Sequence, residues 1–340
     1  MPPRSNLAVL KLLTADTFRQ AVASGVCAMM LAVTAVCSLL CLSVNVSGDV
    51  ALHGGGETVY FLPAPPGGVR GAPAGADPGR ARREGVETIG GRMSLAFGAV
   101  SFPLGRDRGD AVRFLEILFA GGIAGTFGLL LALVWTGGFV PTFLEPRAAS
   151  VLIAMPVARC QLLIGKYCGV VAFVGSQVAL FVALTWLGLG ARTGVWDTAY
   201  LGCVPLLLLQ FAVFYGFSVL LAVVTRSTVA CVFGSVLFWL LSWGINYASV
   251  MARALPGHQS LPARTLTLAD AAYWVSPKPV DAALILFDAM DARHHFEKPA
   301  VFTLLESRPS YSPRASILSS LALCGVLLAL AAYEFNATDY

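Results

Sequence analysis

Six apolar stretches, each about as long as a lipid bilayer is thick, dominate this sequence. A helix needs about 20 apolar residues to cross a hydrocarbon core of roughly 30 Å. The chain has such segments at 21–44, 117–140, 167–189, 200–224, 228–251 and 316–332. Charged residues make up 12% of the chain, whereas soluble domains average about 25%. The sequence therefore predicts an all-α polytopic membrane protein with six transmembrane helices.

The segments around these spans predict the remaining organisation. The segment Pro63–Arg83 is rich in Pro, Gly and Ala, which is typical of a flexible linker. In the stretch that follows it, alternating apolar residues favour a strand of a small sheet. The expected domains are an interfacial helix at 1–20, a span at 21–44, an extracytoplasmic β-containing insert with a flexible linker at 45–113, four spans at 114–251 with a cytoplasmic coupling helix at 143–155, an extracytoplasmic segment with an interfacial helix at 252–315, and a last span with a short cytoplasmic tail at 316–340.

Basic residues near the spans predict the orientation. Lys11 and Arg19 precede the first span, Arg159 and Lys166 precede the third, and Arg226 separates the fourth from the fifth. Short loops rich in Lys and Arg face the cytoplasm, so we expect both termini to be cytoplasmic in a multi-pass protein of the inner membrane. The net charge of +4 is ordinary for such a protein and does not indicate nucleic acid as a partner.

The sequence lacks the residues that most membrane enzymes require. We find no ionisable side chain in the interior of the six spans, which disfavours an ion-coupled carrier or an intramembrane hydrolase. Gly165-Lys166 lacks the upstream glycine and the following Ser or Thr of a phosphate loop. Cys37 and Cys41 lie one turn apart, as a metal pair would, but small residues also pack well between membrane helices. We therefore expect no catalytic residue, no metal site and no cofactor in this chain.

Uncharged polar residues and one aromatic stripe mark the spans. Gln177, Gln210 and Asn246 either line a translocation path or form hydrogen bonds between helices. Trp239, Trp243 and Tyr247 recur every four residues, which fits a packing seam or a ligand cage, and we interpret the stripe as a packing seam.

The connector between the second and third spans concentrates charge. Glu145 precedes a proline that favours the first turn of a helix. Ala148, Val151, Leu152 and Met155 then share one helical face, and Pro156 ends that helix. This apolar stripe either docks on a partner protein or rests on the membrane surface.

The same segment resembles the cytoplasmic signature of ABC-2 type exporter permeases. The resemblance rests on Glu145, on Pro156-Val-Ala-Arg159 and on Leu162-Leu-Ile-Gly-Lys-Tyr-Cys-Gly169, and it extends to the six-span plan. The chain differs from the family pattern at Arg147-Ala148, where Gly-Thr is common, and in the spacing from Glu145 to Pro156. The resemblance implies a transport subunit without a nucleotide site of its own, an ATP-binding partner subunit that holds ATP and Mg, and a second copy of the permease. It assigns contact with the ATPase to Glu145, Arg147, Val151, Leu152, Met155, Pro156, Arg159 and Lys166.

An alternative function belongs to another class of protein. A membrane-anchored scaffold or sensor would display the 45–113 insert and transport nothing. Association with an ATP-binding subunit distinguishes the two.

Overall fold

A computed structural model describes residues 6–47, 49–52, 59–62, 91–104, 108–145, 158–254, 263–294, 296, 298–308 and 311–337. The predicted coupling helix lies largely outside these described residues. That includes Arg147, Val151, Leu152, Met155 and Pro156 of the predicted ATPase contact.

Twelve α-helices and five strands form the described part of the chain. The helices are α1 (Asn6–Ala23), α2 (Val26–Leu42), α3 (Arg108–Ile117), α4 (Leu129–Thr136), α5 (Phe139–Phe143), α6 (Arg159–Thr193), α7 (Cys203–Thr225), α8 (Thr228–Ala254), α9 (Ala263–Val275), α10 (Pro279–Ala289), α11 (Ala300–Glu306) and α12 (Pro313–Ala337). The strands are β1 (Asn45–Ser47), β2 (Asp49–Leu52), β3 (Val59–Leu62), β4 (Gly91–Leu95) and β5 (Val100–Leu104).

By length and composition, five helical stretches of the described chain are able to cross a membrane. They are Gly109–Phe143, Arg159–Thr193, Thr198–Thr225, Thr228–Ala252 and Pro313–Ala337. A sixth span results if α1 and α2, which meet at a bend of 72°, count as one. The prediction of an all-α polytopic membrane protein is therefore confirmed. The domain boundaries, and the side of the membrane that each segment faces, stay predictions.

The bend between α1 and α2 has a local cause. Gly25 has a φ of +76°, a conformation that glycine adopts without the steric cost that a Cβ would bring. Its N–H donates to the carbonyl of Val22 at 3.2 Å, which closes the end of α1. The helix thus ends there, and α2 starts in a new direction.

The chain divides into two compact units. The first contains Met1–Met30, Ala120–Ala179 and Gly202–Tyr340, and the second contains Leu31–Phe119 and Leu180–Leu201. Helix α7 is the centre of the first unit, because 56% of its apolar window is buried against 22–33% for the other four spans. Helices α8 and α12 pack against it.

The second unit contains the predicted small sheet. Strand β4 pairs antiparallel with β1, where Val46 is opposite Met93, and with β5 on its other side. The predicted single strand turns back at Ala96–Gly98, where all three residues have positive φ, so it becomes the hairpin β4–β5. Strand β3 pairs with β2 in a separate two-stranded ladder.

An 11-residue π-helical stretch, Leu118–Gly128, joins α3 to α4. The hydroxyl of Thr126 donates to the carbonyl of Gly121, five residues earlier, at 3.2 Å. π-helical turns are rare in proteins, and those that occur are often found at functional sites.

Candidate functional site

A cavity of about 300 Å³ lies inside the first unit. The π-helical stretch contributes Gly121 and Gly125, α7 contributes Gln210, and α10 and α11 contribute Leu286 and Phe302. The remaining wall is the aromatic side of α8. This volume is at the lower end of the roughly 300–1,000 Å³ typical of small-molecule sites.

The aromatic stripe of α8 forms that wall instead of a packing seam. Trp243 and Tyr247 stack on each other with ring centroids 5.2 Å apart and an interplanar angle of 10°. They are 45% and 38% exposed, although the sequence predicted close packing. Trp239 is buried, and its indole N–H has no hydrogen-bond partner among the described residues.

The three polar residues predicted for a translocation path have different surroundings. Gln210 lines the cavity. The amide of Asn246 is buried and donates to the carbonyl of Pro277 at 2.9 Å, which ties α8 to the turn before α10. The amide of Gln177 contacts the sulfur of Cys27 at 3.8 Å, which links α6 to α2. Two of the three therefore bond neighbouring elements, and their predicted place in a path remains a prediction.

A buried polar cluster lies beside the cavity, in a small pocket that shares Gln210 with it. The carboxylate oxygen Oδ2 of Asp281 accepts hydrogen bonds from the hydroxyls of Tyr273 and Ser316, each at 2.5 Å. Its other oxygen, Oδ1, has no partner in the described part of the chain. Burial raises the pKa of Asp281, against the hydrogen bonds from Ser316 and Tyr273. The cluster joins α9, α10 and α12.

Two cations complete the cluster. The ammonium of Lys278 donates to Ser319 at 2.6 Å and lies 4.8 Å from the ring centre of Trp274. The guanidinium of Arg308 donates to Asp270 at 2.5 Å. Both side chains are buried. These charges were not predicted as a cluster, because the sequence pattern of this segment indicates a helix on the membrane surface. The proline on each side of Lys278 was the available signal of a tightly packed turn.

Lys278 should make stability depend on pH. Burial lowers its pKa to about 8 from an ordinary value of 10.5, with Asp281 opposing this shift and Arg308 adding to it. Between these values the unfolded chain holds the proton and the folded chain does not, so stability rises with pH. As the pH rises from about 7.5 to about 9.5, we expect the apparent melting temperature of the wild type to increase relative to that of Lys278→Met. A constant difference over that range would contradict the lowered pKa.

The two glycines of the signature segment form the surface of α6 against which α1 packs. Gly165 and Gly169 lie one turn apart on α6, in a small-xxx-small arrangement that lets two helices approach closely. A Cβ added to Gly165 would lie 2.4 Å from the side chain of Leu13, and one added to Gly169 would lie 2.7 Å from the hydroxyl of Thr17. A larger residue at Gly169 would also press on the backbone of α1, because the added Cβ would lie 3.3 Å from the carbonyl oxygen of Leu13.

Lys166, between these glycines, contributes a buried charge to the same contact. Its ammonium donates to the carboxylate of Asp16 at 3.1 Å and to the amide oxygen of Gln20 at 2.7 Å. It also lies 5.5 Å from the ring centre of Phe143. Lys166 is 1% exposed, whereas the side chain of Asp16 is 59% exposed. The lysine predicted to contact an ATPase therefore faces the chain's own first helix.

The other charged residues near the spans have different surroundings. Glu145 is exposed at the end of the segment that precedes the undescribed connector, and Arg159 begins α6. Glu116, expected just outside the second span, is buried within the helix Gly109–Phe143, and its Oε1 has no partner within the described ranges. Neighbouring Arg113 pairs instead with Asp197 at 2.9 Å. Glu116 lies one residue before the predicted span 117–140, so the expectation that span interiors hold no ionisable side chain stays a prediction.

Comparison with known protein families gives a match over nearly the whole chain. The family described as ABC-2 family transporter protein matches residues 14–340. The match starts within α1 and includes all the predicted spans and the signature segment. No curated protein matches the chain.

Proposed function

Because the chain belongs to the ABC-2 family of transporter proteins, we propose that it is the permease subunit of an ATP-driven export complex. The chain is a multi-pass membrane component of an ABC transporter and is not itself the catalytic part. Its energy would come from a separate ATP-binding subunit, which would hold ATP and Mg. The observation that carries the proposal is the family match over residues 14–340, which includes the connector with its signature.

The connector would be the contact with that subunit. Glu145 and Arg147 would supply its charged end, and Val151, Leu152 and Met155 its apolar face. Pro156 and Arg159 would join this helix to α6. Lys166 is buried, so its contribution would pass through α1, which it holds in place.

The complex would contain two permease copies in the inner membrane, with both termini cytoplasmic. Closure of two ATP-binding subunits would move the connectors and the spans attached to them. A path bounded by Gln210 would then open outward. Cellular ATP is cytosolic, so a contact through the connector also requires this orientation.

The proposal is tested by purifying the tagged chain from its native membrane. We expect an ATP-binding subunit to purify with it and the complex to hydrolyse ATP. The isolated chain should not hydrolyse ATP, because its sequence has no phosphate loop. Loss of activity when the partner's phosphate-loop lysine is replaced would assign hydrolysis to that partner. A chain that purifies without an ATPase under conditions that preserve membrane complexes would instead support the scaffold or sensor.

A further inference from the structure

The larger cavity has a wall without charge. None of its described lining residues is Asp, Glu, Lys, Arg or His. Lys278 and Asp281 line the smaller pocket next to it, where each already has a polar partner. A full charge placed in the larger cavity would lose its hydration without gaining a counter-ion, which is costly in an apolar environment. The cavity therefore favours an uncharged occupant.

Its polar groups are few. The side-chain amide of Gln210 lies on the α7 side of the cavity. The ring of Trp239 also lines the cavity, but its indole nitrogen is buried away from that space. Lipid acyl chains have no acceptor for the amide of Gln210, whereas an acceptor on a ligand would supply that hydrogen bond.

The aromatic wall is open. Trp243 and Tyr247 are stacked in parallel, and both remain well exposed while they line the cavity. Aromatic side chains bind ring systems by offset stacking or edge contacts. A ligand with a ring would use this wall better than a flexible chain would.

We propose that this cavity binds an uncharged, largely apolar molecule that has an aromatic ring and one hydrogen-bond acceptor for the amide of Gln210. This proposal rests on the proposed function, and it defines the class of molecule that the permease carries. The ring lies against Trp243 and Tyr247, and the acceptor faces the amide of Gln210.

Two glycines provide a matched pair of variants for the test. A Cβ added to Gly121 meets one atom within 4 Å, a methyl of Leu286 at 3.9 Å across the cavity. Gly244 lies on α8, outside the described lining, and an added Cβ meets nothing within 4 Å. Gly121→Leu should place a side chain in the cavity, whereas Gly244→Leu should leave it open. Equal thermal stability of the two variants establishes that both fold.

The test uses benzophenone, which is uncharged and has two rings and a carbonyl acceptor. The full chain in phosphatidylcholine vesicles is irradiated with it, and labelled peptides are identified by mass spectrometry. We expect labels on the peptides that contain Trp243 and Leu286. Gly121→Leu should lower this labelling about tenfold, the effect of losing roughly 1.4 kcal/mol of binding, and Gly244→Leu should not.

A charged analogue tests the chemical class. Labelling by benzophenone that carries a trimethylammonium group should be unaffected by Gly121→Leu. The proposal would be overturned if Gly121→Leu lowered the labelling by the charged and the uncharged probe equally. It would also be overturned if Gly121→Leu left the labelling by benzophenone unchanged, which is the result expected for a cavity filled by lipid. The assay needs neither ATP nor a partner, so its failure leaves the ATPase test intact, and the reverse also holds.

Discussion

Replacing Asp16 with leucine should destabilise the protein strongly, although this side chain is mostly exposed. The substitution leaves the ammonium of Lys166 buried, with Gln20 as its remaining hydrogen-bond acceptor. A buried charge without its counter-ion is more costly than the loss of a surface ion pair. We expect a cost of about 1–3 kcal/mol, visible as a drop of several degrees in apparent melting temperature. Five buried cysteines, Cys37, Cys41, Cys203, Cys231 and Cys324, would report unfolding by reacting with a thiol dye.

The two partners should differ in this assay. Lys166→Met removes the buried charge and leaves Asp16 in contact with water, so it should cost little. The double variant should recover most of the stability that Asp16→Leu loses, and Asp16→Asn, which retains an acceptor oxygen, should lose less than Asp16→Leu. If Lys166→Met proves as harmful as Asp16→Leu, the buried ammonium is not the cause.

The apolar windows were sufficient to predict the helices, because a membrane span is a local property of about 20 consecutive residues. The pattern of alternating residues at β4 was sufficient for a strand, but not for the turn at Ala96–Gly98, where non-glycine residues adopt positive φ. A positive φ at alanine or phenylalanine has no local sequence signal.

The parts of the site that the sequence analysis missed are contacts between distant segments. Lys166 and Asp16 are 150 residues apart, and Ser316 is 35 residues from Asp281. Local periodicity places each residue on a helix face but does not identify its partner. Gly165 and Gly169 belong to the segment that resembles the family signature, and their spacing is also that of a helix-packing motif.

Val151→Asp should abolish most of the binding between the permease and its ATP-binding subunit. If the predicted stripe of Val151, Leu152 and Met155 docks on that subunit, the new carboxylate enters an apolar contact without a partner. Such a change costs on the order of 1–3 kcal/mol or more, so the affinity should fall about tenfold or more. The permease should remain inserted and folded, because the substitution is outside the predicted spans. Retention of the ATPase on the tagged permease measures the effect.

An aspartate introduced at Ser227 is the matched control. Ser227 lies in the other short connector predicted to face the cytoplasm, outside the predicted spans, and its hydroxyl accepts a hydrogen bond from the backbone N–H of Ala230 at 3.4 Å at the start of α8. Aspartate caps the start of a helix about as well as serine does, so Ser227→Asp should fold well and retain its partner. Equal loss of the ATPase by both variants would indicate a general effect of charge at this membrane surface. Full retention by Val151→Asp would mean that the stripe rests on lipid, and a different segment would then have to transmit the motion of the ATPase to the spans.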